Sequence, residues 1–133
     1  MKYYIDTCIW IDFIENRSAG LYPLGECAFQ FFKKCRAHNY KVLYSTAVIW
    51  EMESQNHPFE TILNEFNDIL QKVEISKEIH MNAKIIAKQR ALGFGDVLRA
   101  LLSKENKSIL ITRDLHFYQL NDITKCRKPA ELL

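Results

Sequence analysis

Apolar positions along this chain fall into two recurring patterns. Some are compact runs of strand length, and others recur every third or fourth residue, as on one face of a helix. Tyr3-Tyr4-Ile5 is a run of the first kind, made of residues that favour strands, and it stops at Asp6-Thr7. Ile9, Trp10, Phe13 and Ile14 follow at helical spacing. The pattern predicts a buried strand running directly into a helix, with Asp6 at the strand's carboxyl end. Ser108-Ile109-Leu110-Ile111-Thr112 repeats that design far downstream, ending at Arg113-Asp114 before Leu115 and Phe117. If both strands lie parallel in one sheet, Asp6 and Asp114 share the edge where ligands bind in open α/β folds.

Between these two stretches the same alternation continues. Ser18-Ala19-Gly20, Pro23 and Gly25 read as a loop. Ala28, Phe31, Phe32 and Cys35 mark an amphipathic helix from Glu26 to His38, and Tyr40-Lys41-Val42-Leu43-Tyr44 is the next strand. Ser45 and Thr46 can cap a helix carrying Val48, Ile49, Trp50 and Met52. Phe59, Ile62, Leu63, Phe66, Ile69, Leu70 and Val73 keep a strict three-four spacing and predict one long helix. Val73-Glu74-Ile75 suits a short strand. Ser76 starts a helix that runs to about Leu92, where Gly93 ends it, and Gly95-Asp96 opens another carrying Val97, Leu98, Ala100, Leu101 and Leu102. After the Ile109 strand come a short turn or helix, Ile123-Thr124 and a terminal Pro129-Ala130-Glu131-Leu132-Leu133. Strands alternating with helices predict an α/β fold with a parallel sheet and right-handed crossovers.

Composition narrows this reading only a little. With 133 residues, 48% hydrophobic and 26% charged, the chain suits one globular domain spanning 1–133. Its net charge of +2 is too small to identify a polyanion-binding surface. Lys33, Lys34 and Arg36, and Lys125, Arg127 and Lys128, form modest basic clusters that also suit an ordinary solvated surface. Cys8, Cys27, Cys35 and Cys126 form no C-x-x-C pair, which argues against a zinc cluster and predicts a reduced, cytoplasmic protein. Asp6 and Asp12 interrupt any leader-like apolar core, and no run reaches membrane-spanning length.

Four acids stand out against this background: Asp6 and Asp114 at strand ends, Asp96 beside Gly95 at a helix start, and Glu51 inside an otherwise apolar helix. Asp6, Asp96 and Asp114 each also suit a helix cap, and Glu51 can simply face water. The set points further than its members. Carboxylates brought together need a compensating cation. Oxygen-only ligands suit magnesium or manganese, which finish their coordination with water and phosphate oxygens. That chemistry supports metal-assisted hydrolysis of a phosphodiester.

Tyr3-Tyr4-Ile5-Asp6-Thr7, Ser45-Thr46-Ala47-Val48-Ile49-Trp50-Glu51, Gly95-Asp96-Val97-Leu98-Arg99-Ala100 and Ile111-Thr112-Arg113-Asp114-Leu115-His116-Phe117 occur in the order and spacing of a PIN domain. Together with the ending Lys128-Pro129-Ala130-Glu131-Leu132-Leu133, they make the whole chain resemble the short members of that family, including VapC-type toxins of toxin–antitoxin pairs. The resemblance implies a three-layer α/β/α sandwich around a parallel sheet of about five strands, with the Asp6 strand central. It implies Asp6, Glu51, Asp96 and Asp114 as the metal-binding and catalytic acids, with Thr7 and Thr112 supporting the first and fourth. It also implies Mg2+- or Mn2+-dependent cleavage of RNA, a small antitoxin that covers the acidic groove, and a homodimer. Two positions depart from the family pattern. His116 stands where many relatives have a further acid, and Leu101 stands where a small inward-facing residue is usual.

Arg113, Arg99 and Arg17, nearest in sequence to the acids, are candidate phosphate contacts together with His116; Arg113 equally suits an ion pair. The alternative to a nuclease is a PIN-like module that binds RNA or protein without turnover. A receiver-type domain lacks its phosphoacceptor Asp and late Lys, because Ser45 and Arg113 do not fill those roles. A dinucleotide fold lacks G-x-G-x-x-G after the first strand.

Overall fold

The computed structural model describes all 133 residues. Five strands form a single sheet: β1 (Lys2–Ile5), β2 (Lys41–Tyr44), β3 (Leu70–Lys72), β4 (Ile109–Ile111) and β5 (Cys126–Arg127), in the spatial order β3-β2-β1-β4-β5. All four pairings are parallel, so every connection crosses over through helical or turn segments. The helices are α1 (Thr7–Glu15), α2 (Leu24–Ala37), α3 (Thr46–Ser54), α4 (Glu60–Phe66), α5 (Lys77–Arg90) and α6 (Phe94–Glu105). Leu115–Leu120 and Pro129–Leu132 form 3-10 turns. The predicted three-layer α/β/α sandwich with a central β1 is what is found.

β1 is apolar on both faces because both are covered: Tyr3, Tyr4 and Ile5 are buried, as are Val42, Leu43, Leu110 and Ile111 beside them. On one side α1 and α2 pack together through stacked Trp10 and Phe32, with Phe13 and Phe66 closing the cluster edge-on. α5 and α6 form a second packed pair.

Four expectations need correcting. The long helix over Phe59–Val73 ends at Phe66, and the short strand is Leu70–Lys72 instead of Val73–Ile75. The sheet edge explains both changes. Val42 N donates to Ile69 O at 2.8 Å and Val73 N to Tyr44 O at 2.8 Å, so pairing with β2 claims the backbone that a longer helix would have used. Gly93 does not terminate α5. Ala91 does so, in the left-handed conformation at φ 54°, and Gly93 instead caps the start of α6. Gly25 lies inside the first turn of α2 and not in the preceding loop.

Candidate active site

The site lies at the carboxyl ends of β1 and β4. Asp6 leaves β1, and its buried side chain caps α1: Oδ1 accepts from Thr7 N at 2.8 Å. Its other oxygen, Oδ2, accepts from Thr112 Oγ1 at 2.8 Å, which ties the end of β1 to the end of β4. Cys8 Sγ also points at Oδ2, at 3.4 Å. Burial, with the Asp6 charge adding to it, pushes the Cys8 thiol up to about 12, so it remains a protonated donor. Thr112 does double duty, because its Oγ1 also accepts from Asp114 N at 3.1 Å. Asp114 in turn caps the Leu115–Leu120 turn, accepting from His116 N at 3.0 Å. At Thr7 the backbone N–H supports Asp6, while its hydroxyl is buried without a hydrogen-bond partner.

Glu51 reaches the site from α3. Buried Ser45 caps that helix, accepting from Ala47 N at 3.2 Å, and its hydroxyl pairs with Tyr4 Oη at 2.7 Å. That contact locks the start of α3 onto β1 and so sets where Glu51 emerges. Burial raises the Tyr4 phenol to about 12, which keeps this link protonated at all ordinary pH. Asp96 stands in the first turn of α6, near enough to Asp114 and Asp6 for their charges to act on it. Its carboxyl is raised above the usual carboxylate range, first by burial and then by those two like charges.

Arg99 lies among these acids. It is only 9% exposed and is the sole basic residue that is buried. Its guanidinium pairs with Glu51 through Nη2, and it stands 3.6 Å from Asp6 through Nε and 3.5 Å from Asp96 through Nη1. No three Asp, Glu, His or Cys side chains converge as a ready-made metal cage. The donor set nonetheless suits a hard divalent cation. The four acids offer carboxylate oxygens and no thiolate, and one cationic side chain has already been drawn in among three of them.

The other residues proposed from sequence are placed differently. Arg113 adjoins Asp114 in the chain but forks onto buried Asp12, with Nε and Nη2 at 2.6 and 2.8 Å. Arg17 pairs with Glu15 at 2.7 Å beyond the far end of α1, a helix length of roughly 14 Å from Asp6. His116 is exposed at the rim, with Nδ1 3.4 Å from Asp114. Leu101 of α6 is partly buried and packs against the core. Asp12 is a structural partner that the sequence pattern did not single out. The signal for it was a lone acid within the apolar face of α1.

The profile of the PIN domain matches residues 3–123. The chain belongs to the PIN domain family. PIN domains are generally nucleases, and they generally use divalent metal ions. This PIN domain is similar in fold to the VapBC2 structure from Rickettsia felis bound to a promoter DNA fragment, at 18% identity and TM-score 0.70, over 96% of this chain and 98% of that one. It is also similar to VapBC-1 from nontypeable Haemophilus influenzae, at 14% identity and TM-score 0.65, over 98% and 99% of the two chains. A toxin–antitoxin complex from Klebsiella pneumoniae matches at 16% identity and TM-score 0.63, over 96% and 97%. No individual curated protein sequence matches the chain. No helix of this PIN domain is long and apolar enough to cross a membrane, and all four cysteines are free.

Proposed function

We propose that this PIN domain is a Mg2+- or Mn2+-dependent endoribonuclease of the VapC toxin type. The observation that carries the proposal is the gathering of Asp6, Glu51 and Asp96 around one buried cation, with Asp114 tied to Asp6 through Thr112. Asp6, Glu51, Asp96 and Asp114 are the residues that would hold the metal. Bound there, the metal would supply an activated water and offset the charge developing on the phosphate. The chain's own contribution is positional. Thr112 and the Thr7 backbone fix the two oxygens of Asp6, and Ser45 with Tyr4 fixes the helix that presents Glu51. His116, exposed beside Asp114, is the side chain best placed to meet a phosphate, whereas Arg113 and Arg17 are engaged by Asp12 and Glu15.

A small antitoxin is the partner this reading implies, and a homodimer is the assembly. Trp50 and Leu115, 67% and 68% exposed, adjoin Glu51 and Asp114 in the chain and offer apolar surface for a protein that covers the groove. One observation favours a second reading, a binding module without turnover: Arg99 already neutralises part of the acidic cluster.

Cleavage of a panel of labelled RNAs by wild type and Asp96→Asn, with and without Mg2+ or Mn2+, separates the two. The nuclease predicts metal-dependent cutting that falls by at least about 100-fold in a folded Asp96→Asn protein. Equal cutting by both proteins sinks the assignment of this site. Absence of cutting together with absence of metal binding leaves the binding module.

A further inference from the structure

Arg99 is surrounded by carboxylates but is not clamped by them. Three other arginine–carboxylate pairs in the chain are forked at hydrogen-bond distance, and Arg17, at the surface, meets a single oxygen of Glu15. Arg113 meets Asp12 at 2.6 and 2.8 Å, Arg36 meets Asp68 at 2.7 and 2.8 Å, and Arg90 meets Asp122 at 2.9 and 2.7 Å. Arg99 instead divides itself among three acids. It pairs closely with Glu51 alone, approaches Asp6 and Asp96 only at 3.6 and 3.5 Å, and leaves its buried Nε without a hydrogen-bond partner. A guanidinium sequestered beside Val97, Leu98 and Ala100 with one N–H unsatisfied carries a desolvation cost that this loose geometry does not repay through hydrogen bonds. What offsets the cost is charge: three carboxylates share one cation.

Resting on the metal-nuclease reading, we propose that Arg99 is a built-in counter-cation that competes with the divalent ion for Asp6, Glu51 and Asp96. The helix makes this competition unavoidable. Asp96 and Arg99 are three residues apart on α6, so they present to the same face, and the acid cannot approach the site without the cation beside it. The chain therefore stays neutralised and folded without metal, and its affinity for a divalent ion is lowered by the need to displace the guanidinium. The acids do not converge as a ready-made cage because one of their own neighbours stands between them.

Calorimetric titration of Mn2+ into the metal-free full chain tests this directly, using wild type, Arg99→Met and Arg99→Lys. Methionine keeps an unbranched stem close to that of arginine and removes the guanidinium and its charge, so Arg99→Met is expected to bind Mn2+ about tenfold tighter or more. A lysine ammonium is a single point that cannot span three carboxylates, so Arg99→Lys falls between the two. In chelator, Arg99→Met melts below wild type, and added Mn2+ raises its melting temperature by more than it raises that of wild type. A folded Arg99→Met that binds Mn2+ no more tightly than wild type overturns the proposal while leaving the metal site intact. If Arg99→Met does not fold, Arg99→Lys carries the test, and unchanged or weaker affinity there overturns it. Failure of all three proteins to bind Mn2+ at millimolar concentration removes the metal-nuclease reading and the competition with it.

Discussion

Asp6 accepts at Oδ1 from the Thr7 backbone and at Oδ2 from the Thr112 hydroxyl, so capping a helix and anchoring the candidate site are one arrangement here. The same holds for Asp114, which caps the Leu115–Leu120 turn. These two positions were legible from sequence because each acid stands where an apolar strand run stops. Arg99 was legible as a basic residue near the acids but not as one enclosed by them. The available signal was its place in the apolar run Val97–Leu102, three residues after Asp96. Arg113 went the other way: adjacency to Asp114 suggested a phosphate contact, and buried Asp12 holds it instead. The charge environment of Asp96 yields a pH dependence. Its folded-state value is raised, so its stabilising contribution is present below the ordinary carboxylate range and is lost as pH rises through the raised value. In chelator, wild type should therefore lose thermal stability relative to Asp96→Asn as pH is raised from the ordinary carboxylate range of about 4 towards neutrality. Melting curves of the two proteins across that range check the sign, and a gap that closes with rising pH contradicts it.

Elements follow their sequence pattern where one force dominates and depart from it where two compete. The 3.6-residue periodicity of Ile62, Phe66, Leu70 and Val73 was real in the sequence, but the backbone beyond Phe66 pairs with β2. No glycine or proline marks that break, and Asn67-Asp68 is the only turn signal there. Gly93 looked like a helix stop, yet Ala91 adopts the left-handed turn two residues earlier. Gly25 carries a constraint that only packing explains. A Cβ there would lie 2.6 Å from the Asn16 backbone and 2.7 Å from Asp12 O, because the start of α2 rests on the end of α1. Gly25→Ala should cost about 1–3 kcal/mol by forcing these helices apart. Denaturant unfolding measures it, and an unchanged midpoint would contradict the close approach.

The whole molecule depends on a sheet covered on both faces and an aromatic cluster filling one of them. Phe32 contacts Trp10, Phe13, Phe31 and Phe66 and has no exposed surface. Phe32→Ala leaves a cavity worth about 3–5 kcal/mol and should lower the melting temperature by more than about 10 °C. A scanning calorimetry shift of only a degree or two would show that the cluster is peripheral to the fold. Since α1 is capped by Asp6 and packs on this cluster, the same variant loosens the site scaffold without touching a carboxylate.

The alternation of apolar strand runs with amphipathic stretches, written into the sequence itself, determined an α/β parallel sheet and put two acids at strand ends. Those properties follow from local propensity and periodicity, which act over a few residues. The tertiary structure alone decided where α4 stops, which arginine lies inside the acidic cluster and which acid holds Arg113. Each of those outcomes is a competition between partners far apart in the chain. Backbone pairing to β2 overrides a helical pattern, and carboxylates from β1, α3 and α6 select one cation among several, because burial makes the nearest opposite charge the most effective partner.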